Sequence, residues 1–139
     1  MDVDASRTAM NITDATPVYT PGGGFTPQEM LDVVEAFYHK AIDEGYTGAR
    51  GSGEMTWSLQ EGLADVGDLL EYEAKLTGVL KLHPYTAVCQ YDARRFSGEM
   101  IMDILSVHPV MIVRGQLVKN PHFIDPEQFL TEYRARRAG

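Results

Sequence analysis

The run Tyr85–Tyr91 (YTAVCQY) constrains this chain more than any other segment. It is short, mostly apolar and bounded by turn formers, a pattern that predicts a strand. Helical periodicity lies on both sides of it. Upstream, Val66, Leu69, Leu70, Leu76 and Leu80 share one face of a helix over Val66–Leu80, which Pro84 ends. Downstream, Ser97 caps a helix through Val107 that turns Met100, Ile101, Ile104 and Leu105 inward. Helices alternating with short, near-continuous apolar strands predict an α/β domain with a mainly parallel sheet flanked by helices.

The rest of the chain extends that pattern. Thr26 as N-cap, Pro27 at the first helical position and Glu29 three residues after Thr26 form a capping box. The helix they open carries Met30, Leu31, Val33, Val34, Phe37, Tyr38, Ala41 and Ile42 at helical spacing, and Gly45 closes it. Tyr46–Gly53 reads as a glycine-punctuated strand and Trp57–Leu63 as one or two helical turns. Val110–Val113 is a further strand, returning through Gly115 to Leu117-Val118 as a hairpin. Asp125, Pro126 and Gln128 repeat the capping device for a C-terminal helix. The first 25 residues read as irregular, apart from a strand around Met10–Asp14. Residues 1–18 are therefore taken as an N-terminal segment and 19–139 as one domain, as 139 residues suit.

Composition narrows the functional classes. A single cysteine, Cys89, excludes an internal disulfide framework and a multi-thiolate zinc site. Twelve basic against 20 acidic residues give a net charge of −8. The first 82 residues carry 14 acidic and 5 basic side chains, and the remainder 6 and 7. Duplex binding releases counterions through a basic surface, so direct nucleic-acid binding is not expected. No stretch approaches the ~18 apolar residues of a membrane span, and MDVDASRTAM is no signal peptide, so a cytoplasmic protein is expected.

Candidate chemistry is sparse. Gly22–Gly24 lacks the Lys-Ser/Thr that a phosphate loop needs, and reads as a turn. His39, His83, His108 and His122 show neither HxH nor HExxH spacing, and no metal is expected. His83 and His108 stand at helix ends, where the helix dipole favours an imidazolium. Cys89, inside its strand, reads as a small buried hydrophobe with no local base. In a parallel sheet ligands gather beyond the carboxyl ends of the strands. Those ends would carry Gly53-Glu54-Met55, Gln90-Tyr91-Asp92 and Arg114-Gly115. Glu54 and Asp92 would then share an edge, free to share a proton, bind a cation or pair with Arg94 and Arg95. Trp57, Tyr72, Tyr91 and Phe96 are either pocket walls or plain core.

Several segments together resemble one family. GGGFTPQEML, GYTGARGSGEMTWSL, LLEYEAKL, HPYTAVCQYDARRFSGEMIMDILSVHP and VKNPHFIDPEQFL follow in the order of the MEDS sensory domains, from about Tyr19 to Leu130. The resemblance implies a RecA/KaiC-like α/β core without working phosphate-loop motifs, and a sensory module for small molecules, hydrocarbon derivatives among them. It places the ligand-binding candidates at Glu54 and Trp57 of GEMTW, Gln90, Tyr91 and Asp92 of CQYD, and Arg95 and Phe96 of RRF. It names no catalytic residue and no cofactor. Ala93 interrupts the basic run that usually follows CQYD. The family's upstream strand and helix have no counterpart here, so a second copy, a partner or a rearranged topology is expected to complete the sheet. With no output domain in view, a stand-alone sensor signals by contact with another chain, such as a signalling kinase or a transcription regulator, and a homo-oligomer is expected. The resulting expectation is a non-catalytic sensory domain binding a small, apolar ligand and a protein partner. A ligand-free dimerising adaptor, and an enzyme using Glu54 and Asp92, are the competing readings.

Overall fold

The computed structural model describes residues 9–139. Among these, five α-helices and four short strands form a mixed α/β domain. The helices are α1 (Ala15–Tyr19), α2 (Pro27–Asp43), α3 (Val66–Leu82), α4 (Gly98–Ser106) and α5 (Pro126–Ala138). The strands are β1 (Ala49–Glu54), β2 (Tyr85–Gln90), β3 (Val110–Val113) and β4 (Gln116–Lys119). A 3-10 turn, Thr56–Leu59, follows β1. No helix among the described residues is long and apolar enough to cross a membrane.

Local chemistry accounts for most element boundaries. The Asp65 carboxylate accepts the Gly67 amide at the start of α3, and Ser97 Oγ accepts the Met100 amide at the start of α4. Asp125 accepts from the Glu127 and Gln128 amides to open α5, leaving fewer unpaired donors at each N-terminus. Thr26 stands where a cap should, in extended backbone before Pro27, but its hydroxyl makes no capping bond. Gly45 takes φ +92° and its amide donates to Ile42, while the Tyr46 amide donates to Ala41. That bond pair is the Schellman stop, which favours glycine because it has no Cβ to clash.

The N-terminal reading needs correction. Residues 10–14 carry no strand, and a single helical turn, α1, follows them; residues 1–8 lie outside the described residues. The Thr20 amide and hydroxyl both donate to the Thr16 carbonyl, a local closure that competes with extended pairing.

β1 and β2 pair in parallel, from Ala49 opposite Tyr85 to Glu54 opposite Gln90, with α3 as the connection. α2 and α3 pack on each other and over the sheet, and α5 packs on α3 from the other side. Among the described residues only one sheet face is covered. Ala49, Gly51, Gly53, Tyr85, Ala87 and Cys89 are half-buried, whereas Arg50, Ser52, Glu54, Thr86, Val88 and Gln90 are exposed. The glycines of β1 have a steric cause. A Cβ on Gly53 would stand 2.0 Å from the Tyr19 hydroxyl, and one on Gly51 would stand 2.8 Å from that of Tyr85. The strand is glycine-rich because two tyrosines lie across it.

The other pair, β3 and β4, is antiparallel, from Val110 opposite Lys119 to Val113 opposite Gln116. Arg114 and Gly115 both take positive φ, 50° and 78°, as a two-residue type I′ turn requires. The expected hairpin is therefore formed. The expected mainly parallel sheet reduces, among the described residues, to one parallel pair beside one antiparallel pair. Arg114-Gly115 consequently sits at a hairpin tip rather than beyond a parallel strand end.

Candidate functional site

The N-terminal half folds around an aromatic cluster. Trp57, delivered by the 3-10 turn, is stacked on Tyr19 at 4.7 Å and tilted against Phe25 at 5.3 Å. Tyr72 of α3 meets both Tyr19 and Phe25 edge-on. Trp57 is only 3% exposed and its Nε1 has no partner. Of the two readings of this aromatic, core rather than pocket wall describes its surroundings.

The carboxyl ends of β1 and β2 lie side by side, as the parallel register demands. Glu54 folds onto its own turn, accepting from the Thr56 amide at 2.9 Å and the Thr56 hydroxyl at 2.5 Å. Gln90 Nε2 donates to Ser52 Oγ on the exposed face. Asp92 accepts from Nε and a terminal nitrogen of Arg94 at 2.9 and 2.8 Å, and also from the Arg94 amide. That guanidinium holds the Asp92 carboxyl down to about 2. Arg95 is exposed. Phe96 is buried, T-stacked on Tyr91 at 4.9 Å, and borders a cleft of about 340 Å³ between α3, α4 and α5. Glu54 and Asp92 are thus each engaged within their own turn, one with a threonine and the other with an arginine.

Behind the CQYD segment lies a polar cluster the residue-by-residue reading did not assemble. Glu73, mid-way along α3, is 1% exposed. Its Oε1 accepts the Tyr91 hydroxyl at 2.5 Å, and its Oε2 accepts the Cys89 thiol at 3.2 Å. His108 brings Nε2 to 3.4 Å from the same Oε2, and its Nδ1 lies 2.7 Å from the Ile104 carbonyl at the end of α4. Burial alone would lower the His108 pKa, but the bond and charge of Glu73 reverse that and raise it. Burial and then the Glu73 charge push the Cys89 thiol and the Tyr91 phenol well up, so both hold their protons. A nucleophilic cysteine needs the opposite shift. One signal for this cluster was in the chain. Leu69, Glu73, Leu76 and Leu80 fall at spacings of four, three and four, which puts a carboxylate on an apolar stripe.

A cleft of about 350 Å³ opens between α1, α2 and the covered face of the sheet. Val18, Val33, Val34, Phe37 and Ala87 give it an apolar side together with Gly51 and Gly53, and Asp14, Arg50, Ser52, Glu54 and Cys89 give it a polar one. That volume is at the lower end of the roughly 300–1,000 Å³ typical of small-molecule sites.

Sequence comparison gives the family. The family described as "MEDS: MEthanogen/methylotroph, DcmR Sensory domain" matches residues 1–109, and the chain belongs to it. The matched span begins before Tyr19 and ends ahead of VKNPHFIDPEQFL. The chain is similar to the transcriptional repressor DcmR of Methylorubrum extorquens, 36% identical over 81 residues. Those residues are 58% of this chain and 30% of the repressor, so the chain spans under a third of that relative's length. No solved structure matches the chain.

Proposed function

We propose that this is a non-catalytic sensory domain that takes a small apolar ligand in the cleft between α1, α2 and the β1–β2 sheet, and signals through protein contact. The observation that carries the reading is the cleft itself: an apolar side built by Val18, Val33, Val34 and Phe37, polar groups at its rim, and a size suited to a small molecule. Support comes from membership of a sensory-domain family and from similarity to a transcriptional repressor. Glu54 bonded to Thr56 and Asp92 paired with Arg94 are each engaged within their own turns, which favours the non-catalytic reading over a carboxylate enzyme. A ligand shifts a two-state interface only through differential affinity for the two states. The cleft touches both α1 and β1, so filling it bears directly on how they pack.

The contact surface we assign is the β3–β4 hairpin, and its occupant a second copy of this chain. Val110, Ile112, Val113 and Leu117 are all exposed on it. A two-stranded hairpin is marginal alone, and pairing like edges across a two-fold axis would make a four-stranded sheet. The same surface supports the adaptor reading, so the cleft decides between them. Native mass spectrometry of the purified chain, with titration of the apolar dye ANS, tests this. Non-covalent extra mass, or saturable dye binding abolished by Val33→Phe with the fold retained, supports a sensor. Dye binding unchanged by Val33→Phe, together with a dimer free of added mass, favours the adaptor.

A further inference from the structure

We infer that Cys89, Glu73 and His108 form a binding site for a zinc-class divalent cation, with three protein ligands and one open coordination position. The three donor atoms come from β2, from α3 and from the residues after α4, and all lie within 4.8 Å of one another. Tetrahedral zinc with sulfur at 2.3 Å and nitrogen or oxygen near 2.0–2.2 Å sets its ligands about 3.4–3.6 Å apart. The Nε2–Oε2 separation is 3.4 Å and the Sγ–Oε2 separation 3.2 Å. Those two separations lie within a few tenths of an ångström of the ideal, and Cys89 Sγ and His108 Nε2, within 4.8 Å of each other, adjust to the same spacing as the ion enters.

The second observation is the orientation of His108. A metal-bound imidazole characteristically donates its other ring N–H to a carbonyl or carboxylate, which fixes the tautomer and aims the ring. His108 Nδ1 lies 2.7 Å from the Ile104 carbonyl, and Nε2 is turned inward to Glu73. With the Nδ1 proton held there, Nε2 is left as the metal-binding lone pair. The Tyr91 hydroxyl plays the matching part for the carboxylate, donating to Oε1 and leaving Oε2 toward the ion.

Charge balance allows binding without leaving a bare ion in the interior. With the ion bound, its two charges are matched by the Glu73 carboxylate and the Cys89 thiolate beside a neutral His108, so the filled cluster carries no net charge. Soft thiolate with imidazole and carboxylate is a donor set that suits zinc over magnesium or calcium. Two approaches reach the cluster: Cys89 borders the apolar cleft, and the His108 side chain is 24% exposed. The site goes beyond the sensory reading, because an ion here needs no ligand in the cleft.

The test uses cobalt(II) as a spectroscopic substitute, added to the full chain after dialysis against a chelator. The expected result is one cobalt per chain, with a thiolate-to-cobalt charge-transfer band and the d–d intensity of a tetrahedral site, both displaced by zinc. Cys89→Ser should abolish the charge-transfer band. His108→Gln should weaken cobalt affinity at least tenfold, since loss of even an outer-shell partner costs about 10–100-fold. Circular dichroism establishes that each variant is folded. Should Cys89→Ser fail to fold, the wild-type band and its displacement by zinc still decide. A folded wild-type chain without the band overturns the proposal. So does a band that survives Cys89→Ser, or an affinity unmoved in His108→Gln.

Discussion

β1 and β2 lie under α2 and α3, with one face of the pair packed and the other exposed. β3 and β4 are held by a tight turn and pack extensively against no other element; Ile112 is 57% and Leu117 77% exposed. Yet VMIV is the more apolar sequence of the two, and ARGSGE one of the least strand-like in the chain. The contrast teaches that burial is conferred by what crosses a strand. Tyr19 and Tyr85 lie over β1, and glycines are what let them do so. The hairpin has its apolar side chains and its type I′ turn, but no helix above it. It is tied to the rest of the chain by half-buried Met111 and Val118, paired across the strands, and by buried Asn120, which donates to the carbonyls of Leu105 and His108 at 2.6 and 2.8 Å. The family match ends at residue 109, one residue before the hairpin begins.

The largest expected effect tests the contrast directly. Leu70 is fully buried in α3, so Leu70→Ala should cost about 2–5 kcal/mol, by lost transfer energy and a residual cavity. Leu117→Ala should stay within about 0.5 kcal/mol in the monomer. Urea denaturation of both measures the difference, and similar costs would dissolve the distinction between the two regions.

A smaller effect sharpens the account of the β1 glycines. Gly53→Ala drives a methyl into the Tyr19 hydroxyl and should destabilise by about 1–3 kcal/mol. Combining it with Tyr19→Phe, which removes the atom 2.0 Å away, should recover much of that loss in a double-mutant cycle. Additive costs would mean that the tyrosine is not why glycine is there.

The smallest effect concerns Asp92, whose pKa is held at about 2 by Arg94. A carboxyl depressed in the folded state adds stability that is present above its unfolded value, near 3.8, and lost as pH falls toward 2. A carboxyl-detected NMR titration should find the Asp92 midpoint near 2, and Arg94→Ala should return it to the ordinary carboxylate range. An unmoved midpoint in that variant would assign the shift elsewhere.

Much of the helix layout was legible because its causes are local. Asp65, Ser97 and Asp125 make hydrogen bonds within three residues of themselves, and α2 stops at Gly45, whose amide bonds back to Ile42 while that of Tyr46 bonds to Ala41. The apolar stripes of α2 and α3 and the turn Arg114-Gly115 are likewise readable over a few residues. Thr26 shows the limit, since its position was evident and its hydroxyl bond did not form. Candidate ligand residues were less legible. Trp57 was a candidate by its resemblance, and whether a tryptophan lines a cleft or fills a core depends on neighbours at positions 19, 25 and 72.

The amino-acid order by itself determined the four helices after α1, most of their caps and stops, the strand YTAVCQY and the hairpin turn, since each rests on bonds and side-chain spacing within about two helical turns. Tertiary structure alone decided that, among the described residues, the parallel sheet has two strands with one bare face, and that the apolar hairpin stays exposed. It alone decided that Glu73, Cys89 and His108, 16 and 19 residues apart along the chain, meet at one point. The physical reason is range: a helix laid over a strand brings together side chains that no local hydrogen bond or periodicity relates.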